Sequence, residues 1–223
     1  LEGFDYGTGI LLPVIGKTDV ERRQIINALG PIWDGNEVWM ITAGGALFAS
    51  FPHVYATLFS GFYMALFLML AVLIMRGVAF EFRSKSANRT WRKVFDYCIF
   101  IGSIVPALLW GVTVGNLIQG TPIDETMTYI GTFWDLLSPY TVLCGVAFVL
   151  VFTYHGGLFT SIKTAGPISE RARAASLVTG VPTAIGVIAL IIASYVCTDL
   201  YSSILATIFC ALAVVCFLIS WAA

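Results

Sequence analysis

Charge is scarce in this chain and histidine scarcer. Of 223 residues, 11% are Asp, Glu, Lys or Arg, and two are histidine. A soluble domain carries about 25% charged residues, so a fully water-facing globular surface is excluded. No Walker loop and no dinucleotide fingerprint occurs, which removes the commonest nucleotide chemistries. Cys98, Cys144, Cys197, Cys210 and Cys216 sit mostly in apolar runs. Their spacing suits neither zinc nor an iron–sulfur cluster, so they read as inert thiols. His53 and His155 fall near opposite membrane faces in the topology below and cannot share one haem. No nucleophile–base pair stands out. A net charge of −1 makes no case for nucleic acid. Redox chemistry and hydrolysis are therefore not expected from this chain alone.

What the chain has instead is apolar length. Hydrophobic residues make up 58% of it, and mean hydropathy is +0.88. The long apolar runs are of helical length. The fold class is all-α, a polytopic membrane protein with about seven transmembrane helices in this fragment. The first helix is predicted to end at Gly16, and a second span to run over 35–50 as far as Phe51-Pro52. A third runs from Pro52 to about Arg83, bent near Ser60-Gly61. Later spans are predicted over 91–117, 139–161, 173–196 and 201–222. Thr18-x-x-Glu21 is a capping box and opens a short amphipathic helix to Leu29. Its Val20, Ile25, Ile26 and Leu29 are expected to rest on the membrane. Opening on Leu1 in mid-helix and stopping on Trp221-Ala-Ala predicts truncation at both ends. The long outer loop over 118–138 suggests two units: residues 1–120, a first four-helix bundle with helix 1 truncated, and residues 121–223, a partial second bundle.

All twelve basic residues fall in three clusters: Lys17 to Arg23, Arg76 to Lys93, and Lys163 to Arg173. The gaps between them carry acids, Asp124, Glu125, Asp135 and Asp199. With two crossings per gap, the basic loops share one side, and the positive-inside rule makes that side cytoplasmic.

Against this background a few carboxylates stand out. Asp34 and Glu37 lie at the mouth of an apolar segment, flanked by Trp33 and Trp39. Asp5 lies about ten residues before the end of the first helix, roughly 15 Å deep. Charge in hydrocarbon is expensive and tends to be functional. Asp34 and Glu37 have two readings. One is a helix cap, with Asp34 capping and Glu37 reaching back. The other is a proton relay, in which neighbouring carboxylates in low dielectric cannot both ionise easily. Gly3 with Gly7 and Gly111 with Gly115 form Gly-x-x-x-Gly pairs that permit close helix approach. Gly44-Gly45 suggests tight packing at mid-span.

Several blocks together resemble a known family. They are Gly3-Phe-Asp-Tyr-Gly7, Thr18-Asp-Val-Glu-Arg-Arg23, Pro31-Ile-Trp-Asp-Gly-Asn-Glu-Val-Trp39 and Ile41-Thr-Ala-Gly-Gly-Ala-Leu-Phe48. The match continues through Ser60-Gly-Phe-Tyr63, Phe82-Arg-Ser-Lys85, Trp91, Ile101-Gly-Ser103 and Gly115-Asn-Leu-Ile-Gln-Gly120. The family is subunit II of the cytochrome bd quinol oxidases. The resemblance is dense over residues 1–120; beyond them only the helix pattern agrees. It implies nine helices, two four-helix bundles plus one, of which this chain would lack the last two. It implies a heterodimer with a subunit I of similar fold, which carries haems b and d and the quinol site. Small accessory subunits are compatible with that assembly.

The implied complex sits in a bacterial or archaeal plasma membrane as a multi-pass assembly. It reduces dioxygen to water with quinol electrons and cytoplasmic protons. By resemblance, Asp5 and Asp34 match carboxylates of a proton pathway, and Trp39 lies where an apolar route admits oxygen. Glu37 joins the proton-pathway set from its spacing, at a position that need not be acidic in the family. His53 and His155 match no ligand motif and are read as structural. Two rivals stand beside this reading: a proton-coupled secondary transporter, which buried carboxylates and glycine-rich helices also suit, and a purely structural membrane subunit.

Overall fold

Prolines and glycines punctuate the helices. Gly16 follows the last residue of the first, and Pro52, Pro139 and Pro167 each sit in the first turn of another, where a missing N–H costs little. The computed structural model describes residues 2–222. Leu1 and Ala223, on which the truncated first and last helices were predicted to open and stop, lie outside the described residues. The helices are α1 (Glu2–Ile15), α2 (Asp19–Leu29), α3 (Trp33–Ser50), α4 (Pro52–Gly61), α5 (Tyr63–Phe82), α6 (Arg89–Gln119), α7 (Pro139–Lys163), α8 (Pro167–Cys197) and α9 (Ile204–Ala222). The only β pairing among the described residues is an isolated Ile123–Tyr129 bridge in the 120–138 loop.

Two boundaries differ from the sequence expectation. The predicted 52–83 span is two helices, broken at Phe62, whose N–H bonds the Leu58 carbonyl. α8 begins at Pro167 rather than near 173. Five helices, α5 to α9, are long and apolar enough to cross a membrane. α1 has only 14 described residues, about 21 Å, but it packs against both α6 and α7.

Small residues let these three helices approach. A methyl placed on Gly7 would overlap the Phe152 carbonyl of α7, and one on Gly156 would overlap the backbone of Gly7 and Thr8. Thr8 Oγ1 donates to the Gly156 carbonyl at 3.2 Å and lies 3.1 Å from Thr160 Oγ1. Gly111 and Gly115 bring α6 against Cys144, Gly145 and Thr141 of the same α7. α7 is thus clasped on two sides by the two Gly-x-x-x-Gly pairs. Gly44-Gly45 does not pack tightly within the chain: Gly44 meets only the Phe59 ring at 3.6 Å, and nothing lies within 4 Å of a Cβ at Gly45.

α2 does not simply rest on lipid. Its capping box is present, with Thr18 accepting from the Glu21 N–H and Glu21 from the Thr18 N–H. Val20 is exposed as expected. Ile25 and Leu29, however, are buried; Ile25 enters a core with Leu12, Ile15, Ala79, Ile99 and Ile168, against which Ile26 packs. The helix closes the bundle end because its apolar side finds protein there. Ion pairs tie the predicted basic loops together: Arg22–Asp96 and Arg92–Asp19 join the first to the second, and Glu21–Arg171 joins the first to the third. Bonds from Arg171 and from the capping box hold the Glu21 carboxyl down at about 2, so this last tie is ionic at any physiological pH. All three basic loops therefore gather at one end of the bundle.

Candidate functional site

The site begins with a single cation inside an apolar helix. Arg76 lies in α5, six residues before its end, and its side chain has no exposed surface. Sequence proximity had placed it with the second basic loop. The structure corrects this: it is a core residue. Isolated, such a charge is too costly to bury, so its partners define the site. Nη2 donates to Asp5 of α1, Nη1 donates to Glu37 Oε1 of α3 at 2.9 Å, and Nε donates to Ser103 Oγ of α6 at 3.2 Å. The guanidinium carbon lies 5.2 Å from the Tyr6 ring centroid and 4.8 Å from that of Phe80, within reach of a cation–π attraction.

The other groups complete the cluster. Asp5 is fully buried, and Asn36 Nδ2 reaches its second oxygen at 3.5 Å. Glu2, one turn before Asp5 on α1, has both carboxyl oxygens buried without a partner among the described residues, and it lies within electrostatic reach of Asp5, Arg76 and Glu37. Three helices, α1, α3 and α5, thus contribute one guanidinium and three carboxyl groups to the cluster, and α6 adds the Ser103 hydroxyl.

The Pro31 to Trp39 block supplies two of these groups because of helical spacing. Trp33, Asn36, Glu37 and Met40 form one side of α3: Trp33 stacks on Phe80, and Met40 packs on the Tyr6–Met69–Leu73 core. Asp34 and Trp39 fall off that side and are exposed, Trp39 by 62%. Asp34 is not a helix cap. α3 starts at Trp33, its cap position is Ile32 without a side-chain bond, and Asp34 sits in the first turn. The reason is the tight link to α2, where Ile32 N–H bonds the Leu29 carbonyl and the Ile32 carbonyl already accepts from Asn36. Asp34 remains close enough to Glu37 to act on its charge. Of the predicted proton-pathway residues, Asp5 and Glu37 are joined through Arg76, and Asp34 stands at the surface beside them.

Sequence reasoning missed Arg76, Glu2 and Asn36. It also missed a second buried ionic group at the basic end. There Asp96 accepts from Arg22 at 2.8 Å and from Arg83 at 2.5 Å, and Asp19 accepts from Arg83 at 3.0 Å and Arg92 at 2.6 Å. The available signal was a lone aspartate three residues after the basic run that ends at Lys93, where the apolar course of α6 begins. Among the described residues no three His, Cys, Asp or Glu side chains are grouped to hold a metal ion. His155 of α7 packs edge-on against Phe4 of α1, and His53 is exposed in the first turn of α4.

The sequence profile of the family described as cytochrome bd terminal oxidase subunit II matches residues 1–223. The chain is 49% identical over 188 residues to the probable cytochrome oxidase subunit 2 of Haemophilus influenzae, covering 82% of this chain and 50% of that protein. It is 47% identical over 186 residues to the cytochrome bd-I ubiquinol oxidase subunit 2 of Escherichia coli, covering 82% and 49%. It is 43% identical over 173 residues to the cytochrome bd ubiquinol oxidase subunit 2 of Bacillus subtilis, covering 78% and 51%. The chain spans about half the length of the curated relatives it matches.

Proposed function

The chain belongs to the cytochrome bd terminal oxidase subunit II family, and from that membership we propose that it is part of the smaller subunit of a quinol oxidase that reduces dioxygen to water. In this reading it forms a heterodimer with subunit I. Haems b and d and the quinol site belong to that partner, and this chain holds no catalytic centre. The exposed apolar side of α3, with Trp39, Ile41 and the open backbone at Gly45, offers a surface for the partner or lipid, and Trp39 marks the oxygen route. The basic loops, now 17–23, 83–93 and 163–173, face the cytoplasm.

The observation that carries a conduit role is the Asp5–Arg76–Glu37 cluster with Asp34 at its edge. Oxygen reduction consumes protons, and a proton does not cross hydrocarbon unaided. Three carboxyl groups around one fixed guanidinium exchange protons while the positive charge anchors them. The order Asp34, Glu37, Asp5, Glu2 leads from the chain's surface to its interior. Nothing in the comparisons favours a transporter.

Two expected outcomes test this. The full-length protein purified with its partner shows haem absorption bands, whereas the same subunit expressed alone shows none; stoichiometric haem on the isolated subunit would sink the assignment. Within the complex, Asp34→Asn lowers quinol oxidation tenfold or more, about 1.4 kcal/mol on the barrier, with haem bands intact. Normal turnover removes Asp34 from the pathway, and loss of the bands makes it an assembly residue instead.

A further inference from the structure

We propose that a basic cavity between α2, the α5–α6 turn and α6 binds a phosphate group, supplied by an anionic phospholipid at the membrane boundary. The cavity is about 340 Å³, room for a phosphate with its immediate substituents. Six cationic side chains and two carboxylates line it, a surplus of four positive charges.

The ionic bonding shows where that surplus lies. Asp19 and Asp96 are fully engaged by Arg22, Arg83 and Arg92, which fixes those three guanidinium groups as a wall. Lys17, Arg89 and Lys93 line the same cavity with no carboxylate partner among the described residues. Arg83 adds an independent observation. Its side chain is 2% exposed, yet Nη1 is buried and has no hydrogen-bond acceptor. An orphaned guanidinium N–H in a closed setting is costly, and an anion oxygen in the adjoining cavity would relieve it. Arg89 is the first residue of α6, so the positive end of that helix adds to the field.

Position favours a lipid as the source. The Trp91 indole N–H donates to the Phe82 carbonyl at 3.0 Å, fixing an interfacial aromatic at this level. Above it, α6 leaves Val94, Tyr97 and Ile101 exposed, and α5 leaves Val78 and Phe82 exposed. A headgroup phosphate in the cavity would let its acyl chains lie along that apolar surface. Basic pockets between membrane helices take anionic lipid headgroups for this reason.

The test uses the delipidated full-length protein in detergent, with whatever subunit copurifies, titrated by native mass spectrometry. Phosphatidylglycerol is expected to bind at least about tenfold more tightly than phosphatidylcholine. Arg89→Gln with Lys93→Gln should remove that preference, because neither side chain holds the wall together. Lys17→Gln, in the α1–α2 turn, provides a second variant should the first fail to assemble. Lys163→Gln, basic but outside the cavity, should leave binding unchanged. Inorganic phosphate is titrated in parallel. If it displaces the lipid at millimolar concentration and loses its own binding in the same variants, the site takes free phosphate. If only the lipid responds, the lipid is the source. Unchanged binding of both in the cavity variants overturns the site.

Discussion

Arg76→Met leaves little folded protein in the membrane. The substitution keeps most of the side-chain volume and removes the one cation that, among the described residues, pairs with Asp5 and Glu37. The loss of the Asp5 pair is the decisive term, because both partners have no exposed surface. Glu37, 18% exposed on its side chain, recovers some hydration and contributes less. Removing one member of a buried pair costs about 3–5 kcal/mol, since the other is stranded. Whole proteins are stable by only about 5–15 kcal/mol, so a large share of the margin goes. Arg76→Lys keeps the charge but not the fork that reaches three helices at once, and should fall in between. Arg76→Met combined with Asp5→Asn and Glu37→Gln should recover much of the yield, because the penalty lies in the unpaired charges. Melting temperature and yield of the detergent-solubilised protein read all three. Wild-type values for the single Met variant would mean that Arg76 is not the keystone described here.

Gly156→Ala is expected to be nearly as damaging, for a reason unrelated to charge. The added methyl meets the main chain of Gly7 and Thr8, and main chain in a helix has no rotamer to change. α1 and α7 must separate. That separation loosens the Thr8 bonds to Gly156 and Thr160 and moves Asp5, on the same helix as Gly7, away from Arg76. Overpacking alone costs about 1–3 kcal/mol; the weakened ion pair adds to it. Gly7→Ala should behave alike, since its methyl meets the Phe152 carbonyl. Gly35→Ala and Gly45→Ala, where nothing lies within 4 Å, should stay within about 0.5 kcal/mol of the parent. Equal melting temperatures for the two pairs would contradict the packing argument.

These two sites also show what was readable from residues alone. The Gly-x-x-x-Gly pairs were visible because small residues at that spacing have one main use between membrane helices. Their partner was not visible, because helix choice depends on topology; both pairs use α7. Asp5 was recognised because a carboxylate deep in an apolar run needs a reason. Arg76 has the same signature, an isolated cation after the run Tyr63 to Met75, but its nearness to Arg83 and Lys85 made it look like the start of a loop. The Asp34 cap failed on a local detail: the three-residue link to α2 starts α3 at Trp33 and puts the cap position at Ile32, so Asp34 falls two residues too late to cap. Gly44-Gly45 is the reverse case: small residues read as tight packing where, within this chain, only the Phe59 ring comes near Gly44 and nothing comes near Gly45.

The clasp of α1 against α7 has a consequence for how the protein is made. Thr8 and the Gly156 carbonyl it bonds are separated by 148 residues, and Asp5 and Arg76 by 71. Synthesis proceeds from the N-terminus, so α1 enters the membrane with its carboxyl groups long before its cation exists. Its glycine groove waits longer still, until α7 emerges. During that interval α1 has neither charge balance nor a packing surface of its own. Contacts of such long separation form late and slowly. α1, made before the partners it needs, is therefore among the last helices to be seated, and the insertion machinery has to keep it until the middle of the chain arrives.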